Sequence, residues 1–154
     1  MAYLYINQSI EFFSAIFRNS IKRPDFLVLI PNIGFIAVDV KHHTCKNNSF
    51  TLSIKSEIVK SSEFEHLTKL YLWYAYKKKN MNDNSWYFIS AYDAMENGKV
   101  ISSQKTEDFL SIELKYFKVV TDANDFSKLF SARIGTIGLI SKTLGDYFSK
   151  KIKV

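Results

Sequence analysis

A chain of 154 residues is one domain by length, and it is long enough to bury a core without disulfides or a structural metal. With 47% hydrophobic and 23% charged residues its composition is globular, no apolar run reaches the ~18 residues of a membrane span, and the first residues lack the pattern of a secretory signal. The net charge of +6 and pI of about 9.3 favour a polyanionic partner such as nucleic acid, while the lone Cys45 rules out an internal disulfide and a Cys-based zinc site and fits a reducing, cytoplasmic setting.

Residues 9 to 18 predict a helix. Ile10, Phe13 and Phe17 recur at helical spacing, Phe12 and Ile16 widen the stripe, and Asn7 or Ser9 can cap it. Glu11 falls outside the stripe, in a first turn where the helix dipole favours an acid. A basic connector, residues 19 to 23, leads into two apolar runs, 26 to 30 and 35 to 40, around the turn residues Pro31, Asn32 and Gly34. These read as a hairpin covered on both faces. Yet Asp25 opens the first strand, and Asp39 and Lys41 close the second. Side chains alternate along a strand, so Asp39 and Lys41 share a face, with Val40 opposite. An odd connecting loop, for example 31 to 33, sets Asp25 across from Asp39; a two-residue loop turns it to the other face. Two carboxylates beside a lysine form a hard-oxygen site suited to Mg²⁺ or Mn²⁺. The lysine can stabilise developing negative charge or help to activate a water.

Pro24-Asp25, thirteen residues, then Asp39-Val40-Lys41 resembles the PD-(D/E)xK motif of the restriction-endonuclease-like nuclease superfamily. That superfamily includes restriction enzymes, Holliday-junction resolvases and repair nucleases. The resemblance implies a metal-dependent endonuclease acting on phosphodiester bonds, DNA foremost, with Mg²⁺ (or Mn²⁺) as cofactor. It implies that Asp25 and Asp39 hold the metal and that the Val40 carbonyl completes the shell. Glu11 becomes a candidate further ligand, and Lys41 orients or activates the attacking water. It also implies a homodimer. Resolvase-type relatives commonly place a strand before the Pro-Asp strand; here that strand is missing or comes from residues 3 to 6.

Beyond Lys41 a polar loop, 42 to 48, carries His42 and His43, which either touch a phosphate or are ordinary surface histidines. Residues 50 to 54 alternate as a third strand, and 56 to 70 predict a helix with Phe64, Leu67, Leu70 and Tyr71 inward. Ser62 with Glu65 fits a capping box, and Lys60 is a candidate auxiliary residue. Residues 71 to 76 and 86 to 91 make a second, aromatic hairpin. Its turn carries Lys77, Lys78 and Lys79, either a phosphate-tracking patch or a solvated tip that discourages edge pairing. Residues 92 to 97 are helical and stop at Gly98; 100 to 108 read as a loop, and 110 to 116 as a half-buried strand. A short helix around Phe126 to Phe130 is capped by Asp122 or Asn124, and a last amphipathic helix begins near Thr136.

The expected fold is α/β, bordering on α+β. It has a restriction-endonuclease-like core at about 9–91, a mixed β-sheet flanked by helices, and an extra C-terminal strand and helices over about 92–154, all in one domain. Two other readings stay open. Asp39 could form an edge-of-sheet salt bridge with Lys41 or Arg23, in a non-catalytic nucleic-acid-binding or protein-interaction module that keeps the fold. A metal enzyme with a non-nucleic substrate has no second motif to support it.

Overall fold

The computed structural model describes residues 2–7, 20–30, 34–78, 84–104 and 107–130. The helix expected at 9–18 with its Glu11, the last helix and Lys79 lie outside these residues. The fold is mixed α/β, as expected, but its strands form two sheets. The larger has the order β1 (Ala2–Tyr5), β2 (Phe26–Ile30), β3 (Gly34–Lys41), β5 (Leu72–Tyr76), β6 (Trp86–Ser90) and β9 (Lys118–Val120). The smaller has the order β4 (Ser49–Ser53), β8 (Phe109–Glu113), β7 (Lys99–Ile101). The strand expected at 50–54 therefore leaves the main sheet, because β4 pairs antiparallel with β8. Among the described residues no helix is long and apolar enough to cross a membrane.

The β2–β3 hairpin has the odd connection that the sequence leads one to expect. Ile30 pairs with Gly34 and Phe26 with Val38, so three residues connect the strands and the ladder ends with Asp25 and Asp39 just beyond its last pair. Gly34 sits at φ +113°, a backbone conformation that side-chain-bearing residues rarely adopt. β3 then pairs parallel with β5, Asp39 opposite Tyr74 and Lys41 opposite Tyr76. A parallel neighbour needs a crossover; here it runs through β4, a π-helical turn (Ile54–Val59) and α1 (Lys60–Thr68).

Both faces of the central strands are covered. Val28, Ile30, Ile36, Val38, Trp73, Ala75 and Phe88 fill one side. Ala37, Leu72, Tyr74, Tyr76 and Ile89 face the smaller sheet and the helices, against Phe50, Ile58, Phe64 and Leu110. Asp39 and Lys41 lie on this second side, so the site is roofed by the crossover.

Of the two alternatives for the strand before Asp25, the one at 3–6 holds: it is β1, antiparallel to β2. Several other local expectations are corrected. The stretch 100–108 is not all loop, since 99–101 adds β7. The strand expected over 110–116 ends at Glu113 and turns through a 3-10 segment, Leu114–Tyr116. Ser62 and Glu65 form no capping box: α1 begins at Lys60, and a Glu65 oxygen accepts from the main-chain N–H of Leu72 at 2.7 Å. Leu67 points outward, 52% exposed. Gly98 ends α2 (Ala91–Asn97) in extended backbone, not the left-handed form. It is needed for space, since a Cβ there would lie 2.5 Å from the Ala94 carbonyl oxygen and 3.0 Å from Leu110 Cβ.

Candidate active site

Asp39 and Lys41 stand at the end of β3, and alternation points both toward the crossover. They meet there as a contact of 2.8 Å between Lys41 Nζ and Asp39 Oδ2. Two residues that the sequence reading did not single out complete the cluster. Glu57, from the π-helical turn, places Oε1 2.7 Å from Lys41 Nζ. Lys22, from the connector before β2, lies 2.8 Å from Glu57 Oε2 and 3.1 Å from Asp39 Oδ1. The four groups close a ring in which each lysine touches both acids. Asp39 is 4% exposed, so this is a sequestered cluster and not a surface salt bridge.

Protonation follows from burial and from the ring. Burial raises the Asp39 carboxyl above its ordinary value, outweighing the two lysines that oppose it. Burial also pushes Glu57 up, but the charges and hydrogen bonds of Lys22 and Lys41 together outweigh it and hold Glu57 low. Lys41 is lowered by burial and raised more strongly by Asp39 and Glu57, so its ammonium persists well above neutral pH. The two acids thus differ, with Asp39 the easier to protonate.

Two devices hold Glu57. Glu107 accepts from the Ser56 main-chain N–H at 2.8 Å, from Ser56 Oγ at 2.6 Å and from Ser53 Oγ at 2.8 Å, tying down the turn before Glu57. Further along the same inner stripe, Ser61 hydrogen-bonds the hydroxyl of Tyr74, and Glu65 bonds Leu72. Residues 57, 61 and 65 therefore touch the sheet in succession at a spacing of four, the period of one helix face. An acid three residues after Ile54 and one before Ile58, both buried, lies on the inward stripe of its helix. That pattern was the available signal. Lys60, the auxiliary candidate, is not in the cluster. The ring borders a cavity of about 300 Å³ lined by Lys41, His43, Ser53, Glu57, Glu107 and Phe109.

The other expected residues are distributed as follows. Asp25 lies beside the cluster by register, and its Oδ2 accepts from the Val40 main-chain N–H at 2.7 Å. The Val40 side chain packs on the opposite face. His42 and His43 are both exposed, and the His43 ring meets Tyr76 edge-on at 6.1 Å on the cavity wall. Lys77 lies over Trp86 at 5.4 Å and Lys78 over Tyr87 at 4.7 Å. Trp86 packs toward one core and Tyr87 toward the other, so these lysines leave the sheet on opposite sides and do not form one patch.

Among the described residues no three His, Cys, Asp or Glu side chains converge as a ready metal cage. What the ring offers is two carboxylates, Asp39 buried and Glu57 half-buried, that already share two cations, Lys22 and Lys41. Mg²⁺ is commonly held by one or two carboxylates together with waters and substrate phosphates. By that chemistry Asp39 and Glu57 fit a small divalent ion, with Asp25 next to them.

No protein-family model matches the chain, and no curated protein does. Among solved structures the chain is similar to Hjc, a Holliday junction resolvase from the archaeal hyperthermophile Archaeoglobus fulgidus, at 12% identity and a TM-score of 0.48 over 75% of this chain and 76% of that one.

Proposed function

We propose that the chain is a metal-dependent endonuclease of the restriction-endonuclease-like type, hydrolysing phosphodiester bonds with DNA as first substrate and Mg²⁺ or Mn²⁺ as cofactor. One observation carries this reading. Buried Asp39 and half-buried Lys41 of the Asp-x-Lys motif meet at a strand end with Glu57 from the crossover, and Lys41 and Glu57 border a cavity of about 300 Å³. Burying Asp39 carries a desolvation cost that a surface ion pair does not.

In this mechanism Asp39 and Glu57 would hold the ion, and Asp25 would supply a further oxygen from the neighbouring strand. The ion, when bound, would make a coordinated water more acidic and neutralise charge on the phosphate during in-line attack. Lys41 would orient or activate the attacking water and stabilise the crowded phosphate. His43 sits where a flanking phosphate would enter the cavity, and Lys77 and Lys78 would meet backbone on two separate sides of the sheet. A homodimer acting in the cytoplasm belongs to the same reading.

A second reading has its own support. Two lysines balance two acids without any metal, as expected of a non-catalytic nucleic-acid-binding module that keeps the fold. Plasmid nicking in Mg²⁺ by the wild type, Asp39→Ala and Lys41→Ala separates the two. Nicking by the wild type alone supports the nuclease. Equal nicking by all three removes this site from the chemistry, and DNA binding with no nicking by any of them selects the second reading.

A further inference from the structure

Resting on the nuclease reading, we infer that Lys22 is a tethered cation: its ammonium holds the divalent-ion position between Asp39 and Glu57 and must leave for the ion to enter. Its Nζ bridges Asp39 Oδ1 at 3.1 Å and Glu57 Oε2 at 2.8 Å. The two carboxylates come from different chain segments, and their other oxygens meet on Lys41. Two sequestered acids facing each other repel, so positive charge between them is stabilising whether a lysine or a metal supplies it.

The two lysines are placed differently. Lys41 belongs to a central strand paired on both sides and is fixed with it. Lys22 lies in the connector before β2. Its main-chain N–H is held by the Lys60 carbonyl at 2.9 Å, and Ile21 beside it packs on the core, so the backbone is anchored. Its charge rides on a flexible four-carbon stem, and the side chain retains 15% exposure, which leaves it a way out toward solvent. An ion of charge two arriving beside Lys41 would face like charge from Lys22 at contact distance. Entry and departure are therefore one exchange. Lys22 would keep the metal-free chain folded and lower its affinity for the ion, so that occupancy depends on a high metal concentration or on a phosphate that helps draw the ion in.

The test uses the full chain and Mn²⁺, with the free ion followed by its paramagnetic resonance and stability followed by thermal melting. Lys22→Met removes the charge at similar length, Lys22→Gln is a second variant in case the first does not fold, and Lys22→Arg keeps a cation. The neutral variants should bind Mn²⁺ at least about tenfold tighter than the wild type, since the two charge-assisted contacts of Lys22 no longer have to be broken. They should also melt lower without Mn²⁺ and recover on its addition, while Lys22→Arg behaves like the wild type. Equal or weaker Mn²⁺ binding by the neutral variants, with binding by the wild type intact, overturns the role of Lys22 and leaves the nuclease reading standing. No Mn²⁺ binding by any form overturns both.

Discussion

Replacing Glu57 with Gln keeps the shape of the side chain and removes one charge from the ring. The wild-type carboxylate accepts Lys41 at 2.7 Å and Lys22 at 2.8 Å. In the variant one amide oxygen can still accept from one lysine, while the amide N–H₂ faces the other ammonium. One charge-assisted contact is lost and the second weakened, with about 1.5–3 kcal/mol attached to a hydrogen bond of that type. Breaking a fully buried ion pair costs about 3–5 kcal/mol. The Glu57 side chain is 19% exposed, so the expected loss lies below that, at about 2–3 kcal/mol. Urea unfolding of both proteins should show a lower midpoint with an unchanged slope. The difference should also depend on pH with a definite sign. Glu57 is held low in the folded chain, so its stabilisation is present above the ordinary glutamate range and is lost as pH falls through the folded value. The gap between wild type and variant is thus widest near neutrality and closes below about pH 4. Asp39, raised by burial and also by the Glu57 charge, should become easier to ionise in the variant, which narrows the gap without reversing its sign. A variant as stable as the wild type at pH 7, or a gap unchanged between pH 7 and pH 3, would refute a ring held together through Glu57.

Other outcomes follow from the same packing. Tyr74→Phe strands the Ser61 hydroxyl, which is fully buried, and should cost about 1–3 kcal/mol; adding Ser61→Ala should recover part of the loss in a double-mutant cycle. Fully additive losses would mean that this hydrogen bond contributes nothing. Gly98→Ala drives a methyl against the Ala94 carbonyl and Leu110 and should cost about 1–3 kcal/mol in chemical denaturation; a neutral result would mean that α2 can shift away from β8 at no cost. Glu107→Gln weakens the clamp on the turn carrying Glu57. It should reduce Mg²⁺-dependent nicking while leaving DNA affinity unchanged, whereas a loss of affinity alone would make Glu107 part of the binding surface instead.

The half of the site built on one hairpin was legible in the sequence. Strand alternation places Asp39 and Lys41 on one face, and the odd connection brings Asp25 level with them, because these depend on a period of two and a short count. Glu57 was not legible by the same means, since it arrives from a turn of wider pitch that follows a strand of a different sheet. Ordinary helical spacing from Ser56 turns Phe64 and Leu70 inward, as found, but it misplaces Leu67 and gives no sign that the π-helical turn carries Glu57 to the lysines. Lys22 was hidden for another reason. A lysine in a five-residue basic connector has no periodicity, and Arg23 beside it looked equally suited to pair with Asp39. The division into two sheets was illegible because β4 reads as any short strand, and its partner β8 lies more than fifty residues further on.

The succession of Glu57, Ser61 and Glu65 makes the crossover a ruler laid against the sheet. Its two lower marks are pinned to Tyr74 and Leu72, so the upper mark has no freedom of its own and the acid stands wherever the count of residues puts it. One residue inserted between 57 and 60 would leave the pinned marks in place and swing the acid by roughly a quarter turn around the axis. In a protein built this way, chain length between anchors selects which side chain reaches the lysines, and a relative with one residue more or fewer would have to recruit a different one.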